Sequence, residues 1–140
     1  MKTIQNIRKE ARRIHSCELF KGTENEEELI RLFLSPQGQE FCVKNNFPDV
    51  TTFKDTFPHA TEYGIHIDKG NIQLTDCAMT VLIGNTHAEL TYSDSSKRHE
   101  VILMHGASAT IHAEDWAVVF VTVGVRCKVI KAVKDNALIL

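Results

Sequence analysis

Apolar residues near the start of the chain recur every three or four positions: Ile4, Ile7, Ala11 and Ile14. This spacing places them on one face of a helix, predicted from about residue 3 to 19. The more polar side of that helix carries four basic residues, Arg8, Lys9, Arg12 and Arg13. Because basic helix faces are commonly just solvated, we do not expect nucleic acid as the main partner and keep it as a third hypothesis.

Three further short helices are predicted in the first half of the chain. Thr23 and Glu26 have the spacing of a capping box, in which two side chains satisfy free N–H groups at a helix start. Ser35 and Pro36 repeat a start pattern, because serine caps a helix and proline fits its first turn. A short turn of helix is predicted over residues 52–57.

From about Tyr63 onward, apolar and β-branched residues occupy alternate positions, which is typical of strands. The segments are short and separated by turn residues such as Gly, Asn and Asp. The alternating positions are Ala88, Leu90 and Tyr92; His99, Val101 and Leu103; Ala109, Ile111 and Ala113; Ala117, Val119 and Val121; Cys127, Val129 and Lys131; and Ala137 and Ile139.

Two architectures fit such strands, an antiparallel sandwich or barrel and a β-solenoid in which successive coils stack. Small residues occupy the same position of the alternation in most segments, and they favour the solenoid, because its narrow interior admits only small side chains at corners. These residues are Ala88, Ala109, Ala117, Cys127 and Ala137. We therefore predict an α+β fold. Residues 1–60 form a helical N-terminal subdomain, and residues 61–140 form a stack of short β-strands, with the β-solenoid favoured over the antiparallel sandwich or barrel.

Two segments, His105–Ala113 and Lys134–Leu140, resemble the degenerate Ala-x-Val-x-Ala repeats of small bacterial β-solenoid proteins, many from gut Bacteroidetes. Several of those uncharacterised proteins also begin with a short helical region. The resemblance covers about residues 75–140, and the polar insertion Ser93–Glu100 departs from it. It implies the fold but no function, because those families have no established activity.

Composition describes an ordinary globular chain. It has 140 residues, 43% of them hydrophobic, and a formal net charge of −2, so no global field draws it to nucleic acid or an anionic membrane. The cysteines lie too far apart for a zinc knuckle: Cys17, Cys42, Cys77 and Cys127. The N-terminus lacks an apolar signal segment, and the longest apolar run, Ala117–Val125, is too short to span a bilayer. We expect a cytoplasmic protein.

Seven histidines raise the question of a metal site. His66 with Asp68, and His112 with Glu114, stand two positions apart, so each pair shares one face of a strand. The spacing of a cupin metal site is absent, and we expect neither a metal nor another cofactor. The alternative is a small β-barrel or jelly-roll metal-dependent enzyme or ligand sensor, using some of His66, Asp68, His87, His105, His112 and Glu114.

No catalytic motif is present. The chain has no Gly-x-Ser-x-Gly elbow, and no cysteine stands in the context of a catalytic thiolate. Gly64 and Gly70 are too far apart for a phosphate cradle. We therefore expect no enzymatic activity.

The remaining candidates are surfaces. A stack of strands exposes unpaired backbone at its ends, and the last segment, Ala137–Leu140, is apolar. We therefore predict a non-enzymatic protein-binding or assembly module, an inhibitor or adaptor of a larger complex. It would bind a protein partner or form a homo-oligomer through its C-terminal strand. The candidate partner-binding residues are Trp116, Tyr92, Leu138, Ile139 and Leu140.

Overall fold

The computed structural model describes residues 25–140. The chain divides into two compact units, with the described helices up to His59 in the first and Ala60–Leu140 in the second. The helix predicted over residues 3–19, with its basic face, lies outside the described residues. None of the helices described is long and apolar enough to cross a membrane.

Helix α1, Glu26–Leu34, has its cap at Asn25, two residues later than the predicted cap Thr23. The Asn25 side chain accepts a hydrogen bond from the Glu28 N–H at 2.9 Å, and the Glu28 carboxylate accepts one from the Asn25 N–H. The capping box is therefore Asn25 with Glu28, and the prediction of Thr23 with Glu26 is wrong. Asparagine caps a helix as well as threonine does, and Glu28 stands at the spacing that the box needs.

Helix α2, Pro36–Asn45, starts where predicted, because the Ser35 hydroxyl accepts a hydrogen bond from the Gly38 N–H at 3.1 Å. Helix α3, Val50–Thr56, is the predicted short helix, capped by Asp49. A 3-10 turn, Ala60–Tyr63, begins the second unit.

Aromatic rings hold the first unit together. Phe33 lies 5.6 Å from Phe53, and Phe53 lies 5.9 Å from Phe57, measured between ring centroids. Gly38 of α2 is buried against α1, and a Cβ atom there would overlap the Leu32 carbonyl oxygen. A glycine is therefore required where the two helices meet.

The second unit is a β-solenoid of about four turns, as predicted. All ladders are parallel, and each turn contributes one strand to each of two sheets. The five-stranded sheet has the order β1-β3-β5-β7-β9, and the four-stranded sheet has the order β2-β4-β6-β8. The strands are β1 Ile65–Ile67, β2 Gly70–Thr75, β3 Met79–Ile83, β4 Thr86–Tyr92, β5 His99–Met104, β6 Ser108–Ala113, β7 Val118–Val123, β8 Lys128–Val133 and β9 Leu138–Ile139.

The register shows where the coils differ in length. The first step from coil to coil is 16 residues, with Ile72 beside Ala88. The second is 21 residues, with Ala88 beside Ala109, and later steps are 20 residues. The polar segment accounts for the longest step, because residues 93–98 form the turn between β4 and β5. The end of the predicted insertion is wrong, since His99 and Glu100 belong to β5.

Alternation along the strands separates the interior of the solenoid from its surface. The small residues predicted to face inward are buried at Ala88, Ala109, Ala117 and Ala137, whereas Cys127 is only partly buried. Outward positions differ between the two sheets. They are mainly apolar in the five-stranded sheet and mainly polar in the four-stranded sheet. The four-stranded sheet therefore presents the polar outer face of the solenoid.

Candidate functional site

The predicted partner-binding residues do not all reach the surface. Trp116 is 66% exposed in the turn after β6, and Leu138 and Leu140 are more than half exposed. Ile139 is partly buried, because it follows Val119 in the inward register. Tyr92 is 1% exposed, so its expected place on the surface is wrong.

Tyr92 is buried because it continues the inward row of β4 begun by Ala88 and Leu90. Burial raises the pKa of its hydroxyl to about 12. Its ring lies 4.6 Å from that of His99 on β5, between ring centroids. Tyr92 is therefore part of the core of the solenoid.

Among residues 25–140, β8 pairs with β6 alone and β9 pairs with β7 alone, so the C-terminal coil, residues 124–140, provides one edge strand of each sheet. The N–H groups of Lys128 and Lys134 donate to carbonyl oxygens of β6 and the turns beside it. Main-chain groups alternate in direction along a strand. The N–H and C=O groups of Val129, Lys131 and Val133 therefore point to the free edge of β8.

Lys131 stands at an unusual place in this coil. It lies beside Ile111, which in turn lies beside Leu90, so the inward row of the four-stranded sheet passes from two aliphatic residues to a lysine. Lys131 is exposed because no described strand pairs with the other side of β8. The neighbouring inward positions on β8 are Val129 and Val133, of which Val133 is 52% exposed.

Most of the charged side chains in the C-terminal coil are basic. Arg126, Lys128, Lys131 and Lys134 are its basic side chains, and Asp135 is its acidic side chain. All five are exposed. The inward row at the edge of β8 is therefore apolar except for Lys131. The basic side chains of the coil give this edge a positive electrostatic potential.

A second candidate region is a groove of about 720 Å³ on the outer face of the four-stranded sheet. Its walls are mostly polar side chains from all four strands: Asn71, Gln73, His87, Glu89, Ser108, Thr110, Lys128 and Ile130. These side chains alternate with the inward row, which explains why they share one face. A smaller cavity of about 290 Å³ on the same sheet includes His112.

His87 lies between two polar partners in this groove. Its Nδ1 atom is 2.6 Å from the Ser108 hydroxyl on the adjacent strand β6. Its Nε2 atom is 3.0 Å from the Asn85 side-chain oxygen, in the turn before β4. The arrangement joins a hydroxyl, an imidazole and an amide oxygen in one hydrogen-bonded chain.

The register extends this chain across the sheet. Asn71 lies beside His87 on one side, and Lys128 lies beside Ser108 on the other. Two residues further along each strand, on the same face, the Gln73 amide donates to the Glu89 carboxylate at 3.4 Å. The groove is therefore lined with both donors and acceptors.

The residues proposed as metal ligands do not converge. Asp68 and His105 lie in turns, Glu114 follows β6, His87 and His112 lie on the outer face, and His66 lies on β1. Burial, helped by Lys69, lowers the pKa of His66. Within residues 25–140, no three His, Cys, Asp or Glu side chains are grouped so that they could hold a metal ion.

His99 has a structural position. It is fully buried, and its ring nitrogens lie 3.1 Å from the Cys77 carbonyl oxygen and 2.7 Å from the Asp94 carbonyl oxygen. It thereby ties the turn after β2 to the longer turn after β4. His99 is occupied by these contacts and is not available to a ligand in the groove.

Sequence reasoning missed the chain of Asn85, His87 and Ser108. The positions of Asn85 and His87 in one short segment were a usable clue, since residues two apart share one side of a strand. Ser108 could not be added, because its position beside His87 depends on the 21-residue register step.

No family model matches the chain, and neither the curated proteins nor the solved structures contain a match.

Proposed function

We propose that the protein is a binding module that receives an extended segment of another protein along the free edge of β8. The observation that supports this most is the edge position of β8 among the described strands, together with its apolar side chains Val129, which is partly buried, and Val133, which is exposed. Addition of a strand to a sheet edge supplies main-chain hydrogen bonds for affinity and side-chain positions for specificity. As inhibitor or adaptor, the protein would act by occupying such a segment of a larger complex.

Lys131 defines the chemistry of the segment. A strand added to β8 places every second side chain above Val129, Lys131 and Val133 in turn. An acidic side chain above Lys131 would pair with its ammonium group, and apolar side chains would cover the two valines. The expected segment therefore reads apolar–x–acidic–x–apolar, which also suits the positive charge of the coil.

A second copy of the same chain fits this edge poorly. Two β8 strands related by a twofold axis would run antiparallel and bring Lys131 near its own counterpart, with Lys128 and Lys134 nearby. Like charges directly opposite each other in a sheet are destabilising. Of the two partners expected from the sequence, a different protein is therefore favoured over a homo-oligomer.

The test uses the full chain and a fluorescent peptide with the core Val-Thr-Glu-Thr-Val. We expect binding by fluorescence anisotropy, and a loss of affinity of at least about ten-fold for Lys131→Glu, because the cation becomes an anion. A peptide with Lys in place of Glu should bind the Lys131→Glu protein better than the unchanged protein. Such a reversal of peptide preference requires that residue 131 pairs directly with the central residue of the peptide.

The matched control is Lys44→Glu, which makes the same charge change on the exposed end of α2. It should leave peptide affinity within about two-fold, because the proposal attributes binding to pairing at Lys131 and not to the overall charge of the protein, which both variants change equally. If both variants lost peptide affinity equally, the overall charge of the protein would explain the loss, and the proposal would be contradicted. Absence of binding by any of the peptides, or a dimer of the unchanged protein in light scattering, would also contradict it.

A further inference from the structure

The groove on the four-stranded sheet contains the parts of an activated nucleophile. Ser108 supplies a hydroxyl, His87 an imidazole 2.6 Å away, and Asn85 an oxygen 3.0 Å from the other ring nitrogen. A nucleophile in contact with a base that a third group orients is the arrangement common to enzymes that form acyl-serine intermediates. This site uses outward side chains of the four-stranded sheet, including those of β8, whereas the proposed binding of a partner strand uses the main chain and the inward row of β8.

The tautomer of His87 follows from its partners. The Asn85 side-chain oxygen can only accept a hydrogen bond, so the hydrogen of a neutral imidazole lies on Nε2. Nδ1 then carries the lone pair and accepts the hydrogen bond from the Ser108 hydroxyl. A general base needs this state, because the serine proton must pass to an unprotonated nitrogen.

The surroundings of Ser108 suit a small ester. His87 is exposed and Ser108 is partly exposed, and both line the 720 Å³ groove, so a ligand can reach the hydroxyl. Lys128 lies directly beside Ser108 on the next strand, on the same outward face. In the proposed reaction a cation at this register position would favour the negative charge that develops on the oxygen of an attacked carbonyl group.

We propose that Ser108 is a nucleophile that hydrolyses small carboxylic esters. The Oγ atom bonds to the acyl carbon as Nδ1 of His87 takes its proton, and the ester C–O bond breaks as the imidazolium returns that proton to the alkoxide leaving group. Water then attacks the acyl-serine, Nδ1 takes a proton from the water, and the same proton returns to Oγ as the carboxylic acid leaves. The overall reaction is ester and water to acid and alcohol.

Asn85 is a positioning residue in this scheme, because it contacts His87 and not the substrate. Its oxygen fixes the ring and its tautomer. Aspartate retains an acceptor oxygen, whereas alanine does not. Asn85→Asp should therefore preserve the reactivity of Ser108, and Asn85→Ala should reduce it.

The first experiment is labelling of the full chain with a fluorophosphonate ester, followed by mass spectrometry of its peptides. Attack by Oγ on phosphorus expels fluoride, so each label records one nucleophilic substitution. We expect the label on Ser108, with a rate at least about ten-fold lower in His87→Ala and partly restored by added imidazole. Ser95 and Ser96, exposed in the turn after β4, report background labelling in the same sample.

The second experiment measures hydrolysis of p-nitrophenyl acetate. We expect turnover by the unchanged protein, loss of turnover in Ser108→Ala, and the contrasting effects of the two Asn85 variants described above. Gln37→Ala, an exposed change on α2, is the control with full turnover. Uniform labelling of exposed serines, equal labelling in His87→Ala, or turnover that survives Ser108→Ala would each overturn the proposal.

These outcomes are independent of the peptide experiment. A protein that binds the acidic peptide but shows no label on Ser108 retains the proposed binding function and loses the proposed nucleophile. The reverse outcome leaves the nucleophile and removes the binding function.

Discussion

Asp76 shows how single side chains hold neighbouring coils in place. Its carboxylate accepts hydrogen bonds from the main-chain N–H groups of Ser93 at 2.8 Å and Asp94 at 3.1 Å. The residue itself lies in the left-handed region, with φ 52°, where aspartate is tolerated better than most residues. One carboxylate thus joins the turn after β2 to the turn after β4.

The Asp76 contacts predict a dependence of stability on pH. Burial raises the pKa of Asp76, but the hydrogen bonds from Ser93 and Asp94 outweigh it, and the pKa lies below its ordinary value. A carboxyl group with a lowered pKa in the folded state stabilises the protein above its unfolded pKa of about 3.9, and this stability is lost as pH falls through the folded value.

Asp76→Asn therefore tests the contribution of the charge. Asparagine keeps an acceptor oxygen and tolerates the left-handed backbone, but it has no charge to lose. We expect a lower free energy of unfolding than in the unchanged protein at about pH 7, and a smaller difference at about pH 3. Urea unfolding followed by tryptophan fluorescence measures both. A difference that stays constant with pH would show that the charge of Asp76 contributes nothing.

At the scale of elements, Gly38 is the residue of α2 that leaves no room for a side chain against α1. Alanine is favoured over glycine within helices by up to about 1 kcal/mol, so propensity alone predicts that Gly38→Ala stabilises α2. The added Cβ would overlap the backbone oxygen of Leu32, which cannot move without shifting α1. Overpacking of this kind typically costs about 1–3 kcal/mol and should exceed the gain in propensity.

We therefore expect Gly38→Ala to lower the thermal stability of the helical unit. Circular dichroism at a helix-sensitive wavelength follows the transition. Gln37→Ala, at the adjacent exposed position, should change the free energy of unfolding by less than about 0.5 kcal/mol. A midpoint for Gly38→Ala at or above that of the unchanged protein would mean that the two helices separate at little cost.

Local patterns predicted the elements better than the contacts between them. Ser35 with Pro36 predicted the start of α2, and small residues at one phase predicted the solenoid, because both depend on neighbouring residues or on a short period. The exposure of Tyr92 was predicted wrongly, although its phase matched Ala88 and Leu90. Burial of an aromatic residue at a corner depends on the space left by other coils, which one strand cannot show.

The candidate sites depend on register, and this limited their prediction. The sequence pattern placed Lys131 at an alternating position of a strand. That this lysine interrupts an aliphatic inward row is evident only from the register, which places Leu90, Ile111 and Lys131 side by side. Ser108 likewise has no distinguishing neighbours along the chain. Because coil steps vary between 16 and 21 residues, cross-strand neighbours could not be assigned by counting from one segment to the next.

At the scale of the solenoid, the C-terminal coil is organised differently from the coils before it. Inner coils have strands on both sides in each sheet, and their inward rows are buried. The residues of β8 are largely exposed on both faces, including Ile130 at an outward position and Val133 at an inward position. In a stacked fold each repeat is stabilised by its neighbours, so this coil should open more readily than the inner coils.

We also expect Lys131 to oppose the pairing of this edge with other copies of the chain. Inward-pointing charges on edge strands are one way in which natural sheets avoid pairing with other copies, since the charge would have to be buried without a partner. Replacement of Lys131 by isoleucine would continue the aliphatic row of Leu90 and Ile111 to the edge. The edge would then present three consecutive inward positions with β-branched apolar side chains.

We therefore expect Lys131→Ile to make the protein self-associate, with a mass in light scattering that rises with protein concentration. Lys128→Ile is the matched control, because it makes the same exchange on β8 at an outward position, where stacked edges do not bury the side chain. Self-association of both variants would indicate that any added apolar side chain on β8 causes association, and not the inward position of residue 131. If Lys131→Ile remains monomeric at all concentrations, the lysine does not protect the edge, and the twist or mobility of β8 must oppose pairing instead.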